Sequence, residues 1–288
     1  MNTRPGKHDA VAIKGWFRAY QWLVLRRLSQ LTVMGLFLLG PLVDIWWLKG
    51  NLSASMVLDT VPLADPLAVL QTLFAGHVSE WTALTGAAIV AGFYTLAGGR
   101  VFCSWVCPIN IITDAAAGLR RKLRIRTNHK LSRKARIWLL GVVLLTPMAT
   151  GLLAWEWINP VSQLNRGLLF GMGAGWFLIL AVFLLDLLVT RQGWCGHLCP
   201  LGAFYAQLGR ISPLKVSATR RRQCDDCMDC YAVCPEPHIL PLALKGEAKG
   251  AGPELITTDC TRCGRCIDVC AKDVFEFRTR FFRQAEKH

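Results

Sequence analysis

Residues 224–235 read CDDCMDCYAVCP, and residues 260–270 read CTRCGRCIDVC. In each stretch three cysteines are separated by two residues, and a fourth cysteine follows after three more. Two runs with this spacing bind a pair of [4Fe–4S] clusters in bacterial ferredoxins. The fourth cysteine of each run is a ligand of the other run's cluster. The spacing therefore predicts two sets of four thiolate ligands. The first thiol set is Cys224, Cys227, Cys230 and Cys270, and the second thiol set is Cys260, Cys263, Cys266 and Cys234.

Disulfide bonds and structural zinc are the other common uses of closely spaced cysteines. Disulfides need an oxidising compartment, whereas the charge distribution described below places these cysteines on the reducing side of a membrane. Zinc suits CxxC pairs, but two complete four-cysteine runs favour clusters. We therefore predict a small α+β domain of the bacterial two-cluster ferredoxin type over residues 213–288.

The other four of the twelve cysteines form two CxxxCP motifs, which contain Cys103, Cys107, Cys195 and Cys199. Residues 103–108 read CSWVCP and residues 195–200 read CGHLCP, and matching cysteines are 92 residues apart in both cases. A spacing of four residues predicts that both sulfurs of a pair share one helix face. Two pairs packed together would place four thiolates around one point. Three interpretations stay open: a shared cluster or other metal, two redox-active dithiols, or inert buried cysteines.

The bulk composition indicates that apolar and charged residues are segregated along the chain. The 288 residues have a mean hydropathy of +0.34 and 53% hydrophobic residues, yet a net charge of +14. Four apolar runs, at residues 28–48, 81–99, 137–155 and 168–189, are long enough to cross about 30 Å of hydrocarbon. Buried core helices are usually shorter than this. We therefore predict an all-α membrane domain over residues 28–212, with four transmembrane helices in two pseudo-repeated pairs.

The positions of lysine and arginine predict the orientation of these helices. Residues 1–27 form a basic N-terminal segment with six basic residues against one acidic residue, and residues 100–136 carry ten against one. The segments 49–80 and 156–167 are poor in lysine and arginine. Because cytoplasmic loops carry the excess of basic residues, both termini are predicted to lie in the cytoplasm, below a bacterial inner membrane. This topology accounts for the positive charge without nucleic-acid binding.

Five stretches resemble one known family. They are VFCSWVCP at 101–108, WEWINPVS at 155–162, GWCGHLCP at 193–200, CMDCYAVCPEPH at 227–238 and CGRCIDVC at 263–270. With the four apolar runs, they make nearly the whole chain similar to the NapH family, the ferredoxin-type membrane subunits of the quinol dehydrogenase that serves periplasmic nitrate reductase. One departure is Ala271, which stands where many ferredoxin motifs place a second proline. Proline is not a ligand, so this departure leaves cluster binding intact.

The resemblance implies oxidation of membrane quinol and delivery of electrons toward a periplasmic ferredoxin-like subunit and c-type cytochromes. We therefore expect an electron-transfer subunit of a quinol dehydrogenase that contacts membrane lipid and quinol. The expected cofactors are two [4Fe–4S] clusters, and the CxxxCP motifs stay open to a third cluster or metal. Two other functions also stay open: a membrane-bound polyferredoxin that assists metalloenzyme assembly, and a cluster-based redox sensor.

Quinol oxidation releases protons, so ionisable residues near the membrane are candidates for proton handling. Asp186 and His197 are the candidates near the inner face. Asp186 is expected to pair with Arg191 or Arg100, because an unpaired buried carboxylate is costly. His197 is equally suited to a hydrogen bond with a cysteine sulfur or the local backbone. Two further carboxylates, at the outer ends of the predicted helices, are expected to be interfacial charges in water: Asp44 and Glu156.

Local charge predicts that the two clusters differ in reduction potential. Residues 223–237 carry four acidic residues and no lysine or arginine, whereas three acidic and three basic residues balance over 259–273. Reduction adds an electron, so it is expected to be easier at the second thiol set. Solvent screening and hydrogen bonds to sulfur are the competing influences.

Overall fold

The computed structural model describes residues 7–125, 129, 131–171 and 173–279. The chain divides into two compact units, each assembled from separate stretches of sequence. The motif unit comprises Met1–Ser29, Tyr94–Trp105 and Ala206–His288, as far as these stretches are described. The helical unit comprises Gln30–Phe93 and Val106–Tyr205, with the same restriction. The segment 213–288 thus shares its unit with the start of the chain and with the residues around Cys103.

Helices dominate the described residues, and the strands are short. In chain order the elements are α1 (Lys7–Lys14), α2 (Trp16–Val43), β1 (Leu48–Gly50), β2 (Ala54–Val57), β3 (Val61–Ala64), α3 (Pro66–Phe74), α4 (Trp81–Ala97), α5 (Val101–Trp105), α6 (Ile109–Lys122), α7 (Ala135–Thr150), α8 (Ala154–Ile158), α9 (Pro160–Phe170), α10 (Gly175–Leu184), α11 (Pro200–Leu208), β4 (Leu214–Ser217), α12 (Asp229–Val233), α13 (Leu240–Lys245), α14 (Arg265–Val269) and β5 (Glu276–Thr279). Two π-helical turns, Leu185–Val189 and Trp194–Leu198, lie between α10 and α11. β1, β2 and β3 form an antiparallel sheet in the helical unit.

One helix in the described part of the chain, α2, is long and apolar enough to cross a membrane by length and composition. Three other apolar helical segments are shorter: Trp81–Ala97, Ala135–Thr150 and Gly175–Val189. The run 168–189, predicted as one helix, is divided, because α9 ends at Phe170 and α10 begins at Gly175. Gly171 lies between them with a φ of +93°, which glycine adopts without a Cβ clash and which ends the helix.

Two short helices of the helical unit begin with the same capped structure. α3 follows Asp65 and α9 follows Asn159, and each of these side chains accepts a hydrogen bond from the backbone N–H two residues later. The cap satisfies a free N–H of the first turn, and a proline occupies the first helical position, where no N–H is needed. Each helix also carries a buried amide side chain six residues after its cap, Gln71 in α3 and Asn165 in α9. The repeat seen in the cysteine spacing therefore extends to these helices.

The two strands of the motif unit enclose the cysteine runs in sequence. β4 and β5 pair antiparallel, beginning with Leu214 opposite Thr279. Because β4 precedes the first run and β5 follows the second, this pairing brings the two ends of the motif region together. Between the strands, α12, α13 and α14 surround a buried core that includes Val216, Leu240 and Phe275. This arrangement of short helices and strands agrees with the small α+β fold predicted over 213–288.

Candidate metal centres

A pocket in the motif unit collects the cysteines of the first thiol set. Cys224, Cys227 and Cys230 come from one run, and Cys270, the last cysteine of the other run, lines the same pocket. Cys270 is close enough to interact electrostatically with Cys224 and Cys230. Cys227 is exposed, so the pocket reaches the protein surface. The structure therefore brings the four cysteines of the first thiol set together.

The second thiol set is more deeply buried than the first. Cys234, Cys260, Cys263 and Cys266 are each less than a tenth exposed. Cys234 interacts electrostatically with Cys263 and Cys260, and Cys266 interacts with all three of the others. Cys234 directly follows α12 and Cys266 lies in α14, and these two helices pack against each other. Helix packing thus brings the last cysteine of the first run to the cysteines of the second run.

Burial and crowding disfavour the thiolate forms of these cysteines in the absence of a cation. Burial raises the pKa of Cys230 to about 12 and of Cys260 to about 11. Burial, with neighbouring thiols adding to its effect, also raises the pKa of Cys234 and Cys266. A coordinated metal reverses this preference, because its positive charge deprotonates a bound thiol.

Either thiol set fits an iron–sulfur cluster by the chemistry of its donors. Four cysteine thiolates are the ligand set of a [4Fe–4S] cluster. Structural zinc instead draws its ligands to about 2.3 Å from one ion. Across the described ranges, no group of three or more His, Cys, Asp or Glu side chains is arranged to hold a single metal ion. The fit to a cluster therefore rests on the type and number of the sulfur donors gathered in each set.

The two CxxxCP motifs are not continuous helices, because a new helix begins directly after Pro108 (α6) and at Pro200 (α11). Cys103 lies in α5 and Cys195 lies in the π-helical turn Trp194–Leu198. Their partners, Cys107 and Cys199, lie beyond these elements. The prediction that each pair shares one helix face is therefore wrong. The physical reason is that proline disfavours helical backbone in the residue before it.

Three of these four cysteines belong to the helical unit, and Cys103 belongs to the motif unit. The sulfur of Cys195 lies 3.9 Å from the hydroxyl of Thr113 on α6, the helix that follows Cys107. The carbonyl of Cys107 and the sulfur of Cys199 each accept a hydrogen bond from within the same unit. Cys195 of the second motif therefore lies against the helix that begins at the first motif.

Asp186 is fully buried in the π-helical turn Leu185–Val189. Its Oδ1 accepts a hydrogen bond from the backbone N–H of Trp194 at 2.9 Å. Arg120 donates to the carbonyls of Asp186 and the next residue at 3.2 and 3.0 Å. Arg120, which the sequence does not single out as a partner of Asp186, is thus a cation in contact with this segment. Sequence reasoning counted Arg120 only as part of a basic loop, because it could not show that α6 packs against the π-helical turn.

The other ionisable residues singled out from the sequence occupy different surroundings. His197 is half-buried in the second π-helical turn, between two cysteines. Asp44 is exposed, as expected, and accepts a hydrogen bond from Trp46 Nε1 at 2.6 Å. The side chain of Glu156 is only 13% exposed, and its Oε2 accepts hydrogen bonds from two serine hydroxyls at 3.1 and 3.0 Å. The expectation of a hydrated Glu156 is therefore wrong, because the chain folds over it.

Asp65 is a buried carboxyl that the sequence analysis did not single out. It caps α3, accepts a hydrogen bond from the Tyr205 hydroxyl at 3.3 Å and lies within electrostatic range of Glu156. Burial, with a smaller contribution from Glu156, raises the pKa of Asp65 to about 7. The hydrogen bonds from the Leu67 N–H and Tyr205 oppose this rise. The available sequence signal, an Asp-Pro pair before an apolar run, indicates a helix cap and nothing about burial.

Two families of iron–sulfur domains match this chain. A family described as "4Fe-4S binding domain" matches residues 80–126 and 168–219, and each of these segments contains one CxxxCP motif. A family described as "4Fe-4S dicluster domain" matches residues 223–274, which contain both four-cysteine runs. No solved structure matches the chain.

Several relatives are similar over almost the whole chain. The ferredoxin-type protein NapH of Escherichia coli (strain K12) is 50% identical over 278 residues, which are 96% of each chain. The chain belongs to the NapH family. The NapH of Haemophilus influenzae is 49% identical over 272 residues, 94% of each chain. The methylamine utilization ferredoxin-type protein MauN of Methylorubrum extorquens is 50% identical over 272 residues, again 94% of each chain. The resemblance to NapH is therefore confirmed, and it extends equally to MauN.

Proposed function

We propose that this NapH-family chain is the electron-transfer subunit of a membrane quinol dehydrogenase and holds two [4Fe–4S] clusters. The observation that carries the proposal is the gathering of eight cysteines into two four-thiol sets in the motif unit. When bound, such clusters exchange single electrons, which divides two-electron quinol oxidation into separate steps. The chain itself supplies the ligands, the burial and the local charge.

The proposed ligands of one cluster are Cys224, Cys227, Cys230 and Cys270, and those of the other are Cys260, Cys263, Cys266 and Cys234. The electrostatic contacts of Cys270 with Cys230 and of Cys234 with Cys260 support this crossed assignment. The deep burial of the second thiol set excludes water from its surroundings. The exposed Cys227 leaves the first thiol set closer to solvent.

The proposed location is a bacterial inner membrane, crossed four times, with both termini in the cytoplasm. Apolar side chains on α2, α4, α7 and α10 support this, because soluble proteins rarely expose large continuous apolar patches. The following side chains on these helices are each more than half exposed: Leu31, Phe93, Trp138, Leu145 and Phe177. The basic residues of segments 1–27 and 100–136 support the orientation. In this arrangement residues 28–212 form the membrane domain and residues 213–288 form the cytoplasmic ferredoxin-like domain.

Quinol is the proposed electron source. Its oxidation to quinone releases two electrons, which leave singly, and two protons, for which Asp186 and His197 are the proposed handling groups. The resemblance to NapH supports a periplasmic ferredoxin-like subunit and the c-type cytochromes of a nitrate reductase chain as the onward route. MauN, whose name refers to methylamine utilization, is equally similar. Electron transfer in methylamine utilization is therefore the second candidate.

The four CxxxCP cysteines are proposed to be a further redox centre, either a shared cluster or a pair of dithiols. The match of a "4Fe-4S binding domain" family to both motif segments supports a cluster at Cys103, Cys107, Cys195 and Cys199. The contact between Cys195 and α6 supports an approach of the two motifs within the helical unit. The iron content of the protein distinguishes a third cluster from dithiols.

Anaerobic addition of menaquinol to the purified full chain tests the proposed function. Quinol is expected to bleach the cluster absorbance, and dithionite serves as the chemical reductant that needs no quinol site. The variant Asp186→Asn should slow bleaching by menaquinol but not by dithionite, whereas Asp44→Asn, at an exposed carboxylate, should slow neither. If dithionite bleaches the wild-type protein and menaquinol does not, the quinol dehydrogenase assignment is contradicted.

A further inference from the structure

The short helix α5 carries Cys103 and is hydrogen-bonded to the second cysteine run. The hydroxyl of Ser104 donates to the carbonyl of Thr261 at 2.7 Å, and Trp105 Nε1 donates to the carbonyl of Arg262 at 3.2 Å. Thr261 and Arg262 are the two residues that directly follow Cys260. All of these residues belong to the motif unit. The helix that carries the first CxxxCP cysteine therefore donates hydrogen bonds to the backbone directly after Cys260, a member of the second thiol set.

A close approach just before α5 shows how tightly the two segments fit. Gly98 has a φ of +108°, and a Cβ at this position would lie 2.2 Å from Nη1 of Arg262. Arg262 is itself fixed, because its Nε donates to the carbonyl of Leu214 at 2.7 Å. Only a residue without a side chain allows this contact.

Arg100 is the buried cation of this contact. Its side chain is 1% exposed, and its Nη1 lies 3.0 Å from Oε1 of Glu236 and 2.7 Å from the carbonyl of Asp259. Burial opposes the charged form, but the ion pair and hydrogen bond with Glu236, together with the nearby acidic groups of Cys103 and Asp259, outweigh burial, so the pKa of Arg100 lies above its ordinary value. Arg100 is therefore a permanent positive charge in the interior of the motif unit.

Both kinds of cysteine motif lie within electrostatic range of this charge. Arg100 interacts with the thiol of Cys103 in the first CxxxCP motif and with the thiol of Cys260 in the second thiol set. Glu236, which sequence proximity assigns to the first run, lies beside Cys234 and thus belongs to the surroundings of the second thiol set. A buried ion pair is a poor source of stability, because desolvation offsets its attraction. The pair lies within electrostatic range of both thiol sites, and this proximity points to a role other than stability.

We propose that Arg100 is a positioning residue that couples Cys103 to the second thiol set, by fixing the backbone at Asp259 and by placing one positive charge that both thiol sites share. The inference rests on the proposed function, since it takes the second thiol set to hold a cluster. Reduction of a cluster held there, by an electron from the proposed quinol, would add one negative charge, with no bond formed or broken and no proton bound at the cluster. The charge of Arg100 therefore favours the reduced state, and the charge of Glu236 opposes it.

Redox-poised EPR on the anaerobically purified full chain tests the coupling. Arg100→Gln should lower the midpoint of one cluster selectively, and Glu236→Gln should raise the midpoint of the same cluster. A tenfold change in the ratio of reduced to oxidised cluster, about 59 mV for a one-electron couple, is the expected scale of each change. Arg100→Lys keeps the positive charge, so the midpoint of this variant should lie close to the wild-type midpoint. The double variant should lie between the two single variants.

A second arginine–glutamate pair in the motif unit provides the matched control. Arg221 Nε lies 3.1 Å from Glu247 Oε2, and Arg221 also donates to a backbone carbonyl, that of Ala251. Arg221→Gln and Glu247→Gln should leave the midpoint of the second thiol set unchanged. If they change it as much as the Arg100 and Glu236 variants do, the coupling is not specific to Arg100.

The experiment separates failure of this inference from failure of the proposed function. Iron analysis and EPR of the wild-type protein come first, and absence of both clusters would contradict the proposed function itself. With both clusters present, unchanged midpoints or changes of the same sign in Arg100→Gln and Glu236→Gln would overturn the coupling. If Arg100→Gln does not fold, the other two variants decide. A raised midpoint in Glu236→Gln together with a wild-type midpoint in Arg100→Lys supports the coupling. Any other pair of results overturns the coupling.

Discussion

The backbone N–H of Trp22 donates a hydrogen bond to the Asp268 carboxylate, with a nitrogen–oxygen distance of 3.1 Å. The second carboxylate oxygen accepts from the N–H of Leu23 at 2.9 Å. Trp22 lies in α2, and Asp268 lies in α14 between the last two cysteines of the second run. The side chain of Asp268 therefore attaches the start of α2 to the second cysteine run within the motif unit.

The variant Asp268→Ala should loosen this attachment. It removes two hydrogen bonds to a charged group, each with a net contribution of about 1.5–3 kcal/mol. Local opening of the start of α2 should then be at least about tenfold more frequent than in the wild-type protein. Limited trypsin cleavage at the exposed Arg18 measures this opening. Glu276→Ala, at a carboxylate that pairs with Arg278 in the same unit, is the control and should leave cleavage at the wild-type rate. Equal rates for Asp268→Ala and the control would contradict the attachment.

A second prediction concerns the close approach of Gly98 and Arg262. Gly98→Ala should destabilise the motif unit for two reasons: the positive φ costs about 1–2 kcal/mol with a Cβ, and the new methyl displaces the guanidinium. Gly250→Ala is the matched control, since Gly250 also has a positive φ, +69°, but has open space around its Cβ position. Thermal unfolding should show a lower midpoint for Gly98→Ala than for Gly250→Ala. Equal midpoints would mean that the contact with Arg262 yields easily.

The cysteine spacing indicates which cysteines lie together in the structure, but it does not give the local helix geometry of the CxxxCP motifs. The structure brings Cys270 to the first run and Cys234 to the second, as the two-cluster spacing indicates. The same approach assigned each CxxxCP pair to one helix face, which the proline after each pair prevents. The repeat of the two halves was visible in the cysteines, but its extension to the caps at Asp65 and Asn159 was not.

The sequence alone does not show which charged residues are buried or which groups they contact. The sequence indicates Glu156 and Asp186, but Ser53, a partner of Glu156, and Arg120, a partner of Asp186, come from distant parts of the chain. From the sequence, Arg100 is one positive charge among ten in residues 100–136 and one of two expected partners of Asp186, and its buried pairing with Glu236 is not foreseen. Burial depends on which elements pack against each other, and spacing within one element does not contain that information.

The buried carboxyl of Asp65 predicts a pH dependence of stability. Its pKa is about 7 in the folded protein, against about 3.9 in an unfolded chain. Between these values the folded state holds a proton that the unfolded state has released, so stability falls as pH rises from about 4 to about 7 and is then constant. Thermal unfolding in detergent between about pH 5 and about pH 8 should show this fall.

The variant Asp65→Asn isolates that contribution. Asparagine caps helices as well as aspartate does, and Asn159 occupies the equivalent position before α9, so the variant should fold. Asparagine does not titrate, and the dependence on pH over this range should become weaker. Asp44→Asn, at an exposed carboxylate, should leave it unchanged. If the pH dependence of stability is unchanged in Asp65→Asn, a group other than Asp65 causes it.

The crossed ligand assignment predicts which cysteine variants resemble each other. Cys270→Ser should alter the same EPR signal as Cys227→Ser, because both residues line the pocket of the first thiol set. Cys234→Ser should instead alter the same signal as Cys263→Ser. If Cys270→Ser reproduced the spectrum of Cys263→Ser, which shares its run but not its set, the crossed assignment would be wrong.

The metal content of the anaerobically purified full chain tests the central claim most directly. Two [4Fe–4S] clusters require about eight iron atoms and about eight acid-labile sulfides per chain, and a third cluster at the CxxxCP motifs would raise both to about twelve. We expect at least the lower value, together with EPR signals of reduced clusters after dithionite. Stoichiometric zinc in a metal-replete preparation, with no iron and no labile sulfide, would contradict it.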